Sequence, residues 1–156
     1  MKTPEHDLQV RCVRWFRYRY PYLSPIFFAV PNGGHRTKAT AAMMKAEGER
    51  AGVADLILLL PSLNGHSLNI EMKAGTSQSP QQRIYELYCR SSDNSYIICH
   101  SLSEFQKAVE QHLSLVDKNI LSQLQAIHRT IEAEKVIQVR EKIMNRIKRM
   151  NHEDEK

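Results

Sequence analysis

The chain has 156 residues, 42% of them hydrophobic and 25% charged, a composition typical of one globular domain with residues to spare. Its net charge of +5 is compatible with a polyanionic partner but does not require one. Three cysteines without Cys-x-x-Cys spacing argue against a disulfide framework or a structural zinc site. No apolar run approaches the ~20 residues of a membrane span. We therefore expect a soluble, cytoplasmic protein with one main core.

The first third of the chain predicts a helix, a strand and a second helix. Thr3 is a candidate N-cap, and apolar residues then recur at helical spacing: Leu8, Cys12, Trp15 and Tyr18. The segment "IFFAV" predicts a short strand that ends in the turn "PNGG". Residues 37–49, rich in alanine and lysine, predict a short helix.

Two strands are predicted next, and they differ in pattern. "VADLILLL" is a continuous apolar run, typical of a strand that is covered on both faces, whereas "HSLNIEMKA" alternates. Asn64-Gly65 between them is a hairpin signal. Because side chains alternate between the faces of a strand, Glu71 and Lys73 should share one face.

The remaining elements complete an α/β domain. Ser79-Pro80 begins a predicted helix through "QQRIYELYCR", "SYIICH" predicts a strand, and "SLSEFQKAVEQHL" predicts a helix capped by Ser101 or Ser103. The order of elements predicts a mixed sheet flanked by helices.

Residues 116–156 form a separate, helical extension in this interpretation. Its apolar residues recur at helical spacing and resume after a slip: Ile120, Leu124, Ile127 and Ile131, then Val136, Val139, Ile143, Ile147 and Met150. Such a stripe has to be covered, either by the chain's own domain or by a second copy. Six of the seven charged residues from Lys135 to Arg149 are basic, and the final residues should fray.

Three charged residues stand where buried strands are predicted. If the strands pair as a hairpin, Asp55 lies beside Glu71, and Lys73 is on the same face. Two carboxylates and an amine suit phosphodiester hydrolysis with Mg²⁺, because the carboxylates can bind the ion and the amine can neutralise developing charge. The alternative is an ordinary cross-strand salt bridge of Lys73 with Glu71 or Asp55.

The same residues carry a family resemblance. Over residues 4–105, and most closely over "VPNGGHRTKATAAMMKAEGERAGVADLILLLP" and "LNIEMKAGTSQSPQQRIYEL", the chain resembles the VRR-NUC family of the PD-(D/E)XK nucleases, specifically its small stand-alone phage and prophage members. One departure is Ala54, where the family commonly has proline. The resemblance implies a restriction-endonuclease-like α/β fold over residues 1–115, followed by the helical extension.

The resemblance also implies a set of site residues and a cofactor, Mg²⁺ or Mn²⁺. The implied catalytic residues are Asp55, Glu71, Lys73 and Gln82. The implied metal ligands are Glu5, Asp55, Glu71 and the backbone carbonyl of Met72. Glu5 could instead complement the dipole of its helix, and Gln82 could be a surface residue beside Gln81.

Candidate DNA contacts surround and follow the Gly-Gly turn. They are Asn32, Arg36, Lys38 and Lys45, although exposed basic residues on a loop and helix are often simply solvated. Arg14, Arg17 and Arg19 in the basic, aromatic segment "RWFRYRY" are further candidates.

The function implied is that of a metal-dependent DNA endonuclease, structure-selective on branched DNA and similar to Holliday junction resolvases. It would act as a homodimer in a bacterial or phage-infected cell. Two alternatives stay open: a flap, nicking or restriction-like nuclease, and a catalytically silent DNA-binding module.

Overall fold

The structure is a computed structural model that describes residues 3–31 and 37–153, with side chains to residue 146. The chain divides into two units, Met1–Asp117 and Lys118–Lys156. The helices are α1 Pro4–Arg19, α2 Lys38–Ala46, α3 Pro80–Ser91, α4 Leu102–Ser114 and α5 Lys118–Glu153. The strands are β1 Phe27–Ala29, β2 Leu56–Leu58, β3 Leu68–Met72 and β4 Ser95–Cys99, and a 3-10 helix covers Pro21–Ile26.

The first helix begins where local chemistry predicts. The hydroxyl of Thr3 accepts a hydrogen bond from the backbone N–H of His6 at 3.2 Å, and Pro4 occupies the first turn, where its missing N–H costs nothing. Leu8, Cys12 and Phe16 form the buried face. The predicted N-cap is confirmed.

The sheet has the order β1-β2-β3-β4. Strands β1, β2 and β3 pair antiparallel, while β3 and β4 run parallel because α3 crosses between them. The β2–β3 hairpin pairs Leu56 with Ile70, and a tight turn between Ser62 and Gly65 closes it. The predicted hairpin and mixed sheet are confirmed.

Helices cover the two faces of the sheet unequally. On one face Phe27 stacks on Phe16 of α1, with ring centroids 4.0 Å apart, and contacts Phe105 of α4. On the other face Tyr85 of α3 packs edge-on against Tyr96 of β4. Since α3 packs on β4 beside β3, every residue of β3 is buried, including its polar ones.

The expectation that "VADLILLL" is covered on both faces is wrong. Strand β2 spans only Leu56–Leu58, Ile57 is half-buried, and Leu59 is 58% exposed. The covered strand is β3, whose alternating sequence places Asn69 and Glu71 under α3. Asn69 and Glu71 are therefore polar because they form hydrogen bonds beneath α3, and not because that face of β3 is exposed to solvent.

The three cysteines Cys12, Cys89 and Cys99 are free and buried, as expected of small core residues.

The second unit is the single helix α5, continuous over 36 residues and so about 54 Å long. Because the helix does not break at the slip between Ile131 and Val136, the apolar segments before and after it face directions roughly 130° apart. Among the described side chains, Ile127, Ile131 and Ile143 are exposed. No helix in the described ranges combines the length and apolar character that a membrane span needs.

Candidate active site

The β2–β3 hairpin brings two carboxylates together at one end of the sheet. Asp55 immediately precedes β2, and the register that pairs Leu56 with Ile70 places it beside Glu71. The backbone N–H of Met72 donates to Oδ2 of Asp55 at 2.8 Å. This bond fixes the Asp55 carboxylate against the strand that carries Glu71.

Glu71 is fully buried, at 0% exposure, and both of its oxygens are engaged. Oε1 lies 3.1 Å from Nζ of Lys73 and accepts a hydrogen bond from Nε2 of Gln82. Oε2 accepts from the hydroxyl of Tyr96 at 3.3 Å. Lys73 directly follows β3 and lies on the same side as Glu71, as the alternation predicts. The Glu71–Lys73 ion pair is therefore formed within one segment of the chain and not across two strands.

The cluster carries an excess of negative charge. Burial, and then repulsion by Asp55, raises the pKa of Glu71 to about 7, although Lys73 and Tyr96 act in the opposite direction. Burial also raises the pKa of Asp55, against the Met72 N–H and Lys73, while nearby Glu5 adds to the rise. The charge of Lys73 therefore does not fully compensate for the two carboxylates of Asp55 and Glu71.

Gln82 is oriented by the cap of its own helix. Its Oε1 accepts from the backbone N–H of Ser79 at 2.7 Å, and the Ser79 side chain accepts from the backbone N–H of Gln82. This is a capping box at the start of α3. Because the amide oxygen is used by Ser79, the amide nitrogen is the group that faces Glu71.

Gly52 permits residues 52–55, the Asp55 loop that leads into β2, to approach α3 closely. Its φ is +88°, and a Cβ atom at this position would lie 2.6 Å from the backbone carbon of Gln81. Gly48 also has a positive φ, +100°, but a Cβ atom there would meet no other atom within 4 Å. A side chain at Gly48 would therefore cost backbone strain alone, whereas a side chain at Gly52 would cost backbone strain and steric overlap with α3.

We expect Gly52→Ala to destabilise the protein by at least about 2 kcal/mol more than Gly48→Ala, which should cost about 1 kcal/mol through strain alone. Urea unfolding of both variants measures the difference. Equal losses would contradict the tight packing of the Asp55 loop on α3.

Glu5 reaches the loop that follows β3 rather than the carboxylate pair. Its Oε1 accepts from the hydroxyl of Thr76 at 2.5 Å and from the backbone N–H of Ala74 at 3.4 Å. Its negative charge nevertheless adds to the rise in the pKa of Asp55. Its role as a metal ligand stays a prediction, as does that of the Met72 carbonyl.

The donor set suits a hard divalent cation. Within residues 3–31 and 37–153, no three His, Cys, Asp or Glu side chains form a ready-made metal cluster. Mg²⁺ does not need one, because one or two carboxylates with waters and substrate phosphates commonly hold it. Asp55 and Glu71, adjacent and insufficiently neutralised, fit that requirement.

Only some of the predicted DNA contacts lie among the described residues. Asn32 and Arg36 lie outside the described residues. Lys38 and Lys45 are exposed on α2. On α1, Arg14 and Arg17 are exposed and line a shallow groove. Binding of DNA by any of them stays a prediction.

Sequence reasoning missed Tyr96 and Thr76, which hold two of the carboxylates. Neither lies near its partner in sequence, and no local pattern marks them. The capping box, by contrast, is visible as Ser79-x-x-Gln82 and would have selected Gln82 over Gln81.

No family model matches the sequence, and no curated protein matches it. Among solved structures, one described as a "VRR_NUC domain protein" superimposes with a TM-score of 0.64, covering 75% of this chain and 93% of that chain at 20% sequence identity. The likeness is one of fold. It confirms at that level the resemblance seen in the motifs: the chain has the restriction-endonuclease-like fold of a VRR_NUC domain protein.

Proposed function

We propose that the chain is a divalent-metal-dependent endonuclease that hydrolyses phosphodiester bonds in DNA. The observation that carries this proposal is the pairing of half-buried Asp55 with buried Glu71, with Lys73 held 3.1 Å from Glu71. The nuclease fold supports it independently of the side chains.

Asp55 and Glu71 would hold Mg²⁺ or Mn²⁺. When bound, such an ion stabilises charge on the phosphate and lowers the pKa of water in the site. Lys73 places an ammonium beside the reacting phosphate, where it neutralises negative charge that grows as water attacks. Gln82 donates to Oε1 of Glu71 and helps to hold the carboxylate in place. Hydrolysis forms a phosphorus–oxygen bond to water, breaks one ester bond, and leaves the departing oxygen protonated.

We further propose branched DNA, with the four-way junction as the preferred substrate, on the strength of the resemblance to small stand-alone VRR-NUC proteins. Flap, nicking or restriction-like cleavage is the alternative within the nucleases. A silent DNA-binding module is the alternative outside them.

A substrate panel separates these possibilities. Purified protein is incubated with end-labelled four-way junction, flap, linear duplex and single strand, in Mg²⁺, Mn²⁺ or EDTA. Preferential, metal-dependent junction cleavage is the expected result. Cleavage of flap or duplex alone selects the alternative nucleases, and binding without cleavage in either metal contradicts nuclease function.

The proposed assembly is a homodimer. A four-way junction is cut at two strands related by a two-fold axis, and a C₂ dimer presents two sites with that symmetry. The exposed isoleucines Ile127 and Ile131 of α5 form an apolar surface that a second copy could bury. The slip in the stripe means that one straight seam cannot cover both segments, so we assign the contact to the first segment.

The double variant Ile127→Glu, Ile131→Glu should therefore be monomeric, because like charges would meet across the dimer contact. It should retain nicking but lose paired cleavage of junctions. Ser122→Glu, on the opposite side of α5, is the matched control. Light scattering decides the assembly: a wild-type protein that is monomeric, both free and on junction DNA, would rule out this arrangement.

A further inference from the structure

Tyr96 lies beneath the site without belonging to the predicted set. It is 1% exposed on β4, and its hydroxyl donates to Oε2 of Glu71 at 3.3 Å. Its ring packs with Cys89 of α3 and with Ala54, the residue directly before Asp55, and it meets the edge of Tyr85. The ring therefore has little freedom to move its hydroxyl away from Glu71.

A chain of hydrogen bonds also holds Tyr96 from α3. Nε2 of Gln78 donates to the Tyr96 hydroxyl at 3.4 Å and to Glu86 at 2.9 Å. Glu86 pairs with Arg90, and Arg90 in turn donates to the backbone carbonyl of Tyr96 at 2.7 Å. The residue is thus held at its hydroxyl and at its backbone by side chains of one helix and its preceding loop.

The two oxygens of Glu71 have different partners. Lys73 and Gln82 both contact Oε1, whereas Tyr96 contacts Oε2. With Tyr96 in place, rotation of the carboxylate about its terminal bond breaks contacts at both oxygens. Without the hydroxyl, Oε2 is released, and only Oε1 resists rotation.

We propose that Tyr96 is a positioning residue, which fixes the plane of the Glu71 carboxylate and so sets the affinity of the site for its divalent cation. The inference rests on the proposed function, because it assigns Glu71 to the metal. Partners that orient metal ligands typically contribute 10- to 100-fold in metal affinity or activity.

Tyr96→Phe removes the hydroxyl and keeps the ring. Tyr85→Phe is the matched control, because Tyr85 also lies between α3 and the sheet but donates to Asn69, at 2.9 Å, rather than to Glu71. We expect Tyr96→Phe to raise the calorimetric Kd for Mn²⁺ about 10-fold and to lower kcat to a similar extent, with an unchanged KM for DNA. Tyr85→Phe should leave all three values unchanged.

A measurement on the metal-free protein keeps this test separate from that of the nuclease function. The ¹³C NMR resonance of the Glu71 side-chain carboxyl, assigned through Glu71→Gln, should shift in Tyr96→Phe and stay in place in Tyr85→Phe. An unmoved resonance, or equal losses of Mn²⁺ affinity in both tyrosine variants, would overturn the role of Tyr96. If Tyr96→Phe shifts the Glu71 resonance and weakens Mn²⁺ binding while the wild-type protein cleaves no DNA, the proposed function alone is overturned.

Discussion

Glu71→Gln is expected to lower the rate of DNA cleavage by a factor of at least about 10³, because it removes a charged ligand from the proposed cation site. The amide keeps the size of the side chain. Its oxygen can still accept from Gln82, and its NH₂ group can donate to the hydroxyl of Tyr96. Single-turnover cleavage at saturating metal and DNA measures the effect. Glu110→Gln, at an exposed glutamate of α4, is the control and should retain full activity.

The same substitution should not destabilise the metal-free protein at alkaline pH. The pKa of Glu71 is raised from 4.5 to about 7 in the folded state, so the carboxylate form weakens folding. The stabilising contribution of the protonated form is complete below about pH 4.5 and is lost as pH rises through 7. At pH 8 in EDTA, Glu71→Gln should equal wild type or exceed it by up to about 3 kcal/mol. If urea unfolding at pH 8 shows a large loss in the free energy of unfolding for Glu71→Gln, the excess of negative charge around Asp55 and Glu71 is contradicted.

Lys73→Met is expected to lower turnover by about 10²–10⁴-fold while the protein still binds divalent metal. Methionine replaces the buried stem of Lys73 but carries no charge, so it cannot neutralise the reacting phosphate. Mn²⁺ binding by calorimetry and single-turnover cleavage are measured on one preparation.

The matched control for this prediction is Lys107→Met, at an exposed lysine of α4, which should behave as wild type. Circular dichroism checks the fold, since removing one partner of a buried ion pair can cost several kcal/mol. Loss of metal binding together with turnover would make Lys73 a structural residue rather than a catalytic one.

The features that the sequence predicts correctly depend on local chemistry. The Thr3 cap follows from a hydroxyl before a proline in the first turn. The hairpin follows from Asn64-Gly65, where Gly65 adopts a φ of +137°. The shared face of Glu71 and Lys73 follows from the two-residue period of a strand.

The features that the sequence does not predict depend on contacts between distant segments. The choice of β3, rather than β2, as the fully covered strand depends on where α3 lies after its crossover. The bond from Tyr96 to Glu71 depends on the parallel register of β3 and β4, and the bond from Thr76 to Glu5 joins residues 71 positions apart. Residue type and spacing along the chain do not predict which distant segments pair in the fold.

The most direct test of the Asp55–Glu71 site compares metal-dependent cleavage by wild type and Asp55→Asn, purified in parallel. Asparagine keeps an oxygen for the Met72 N–H but removes the charge that would hold the cation. Both proteins are titrated with Mg²⁺ and with Mn²⁺ on end-labelled four-way junction and duplex DNA, with EDTA as the blank. We expect metal-dependent cleavage by wild type and none above the blank by Asp55→Asn. Equal cleavage by the two proteins, or cleavage by wild type in EDTA, would contradict the assignment of this site.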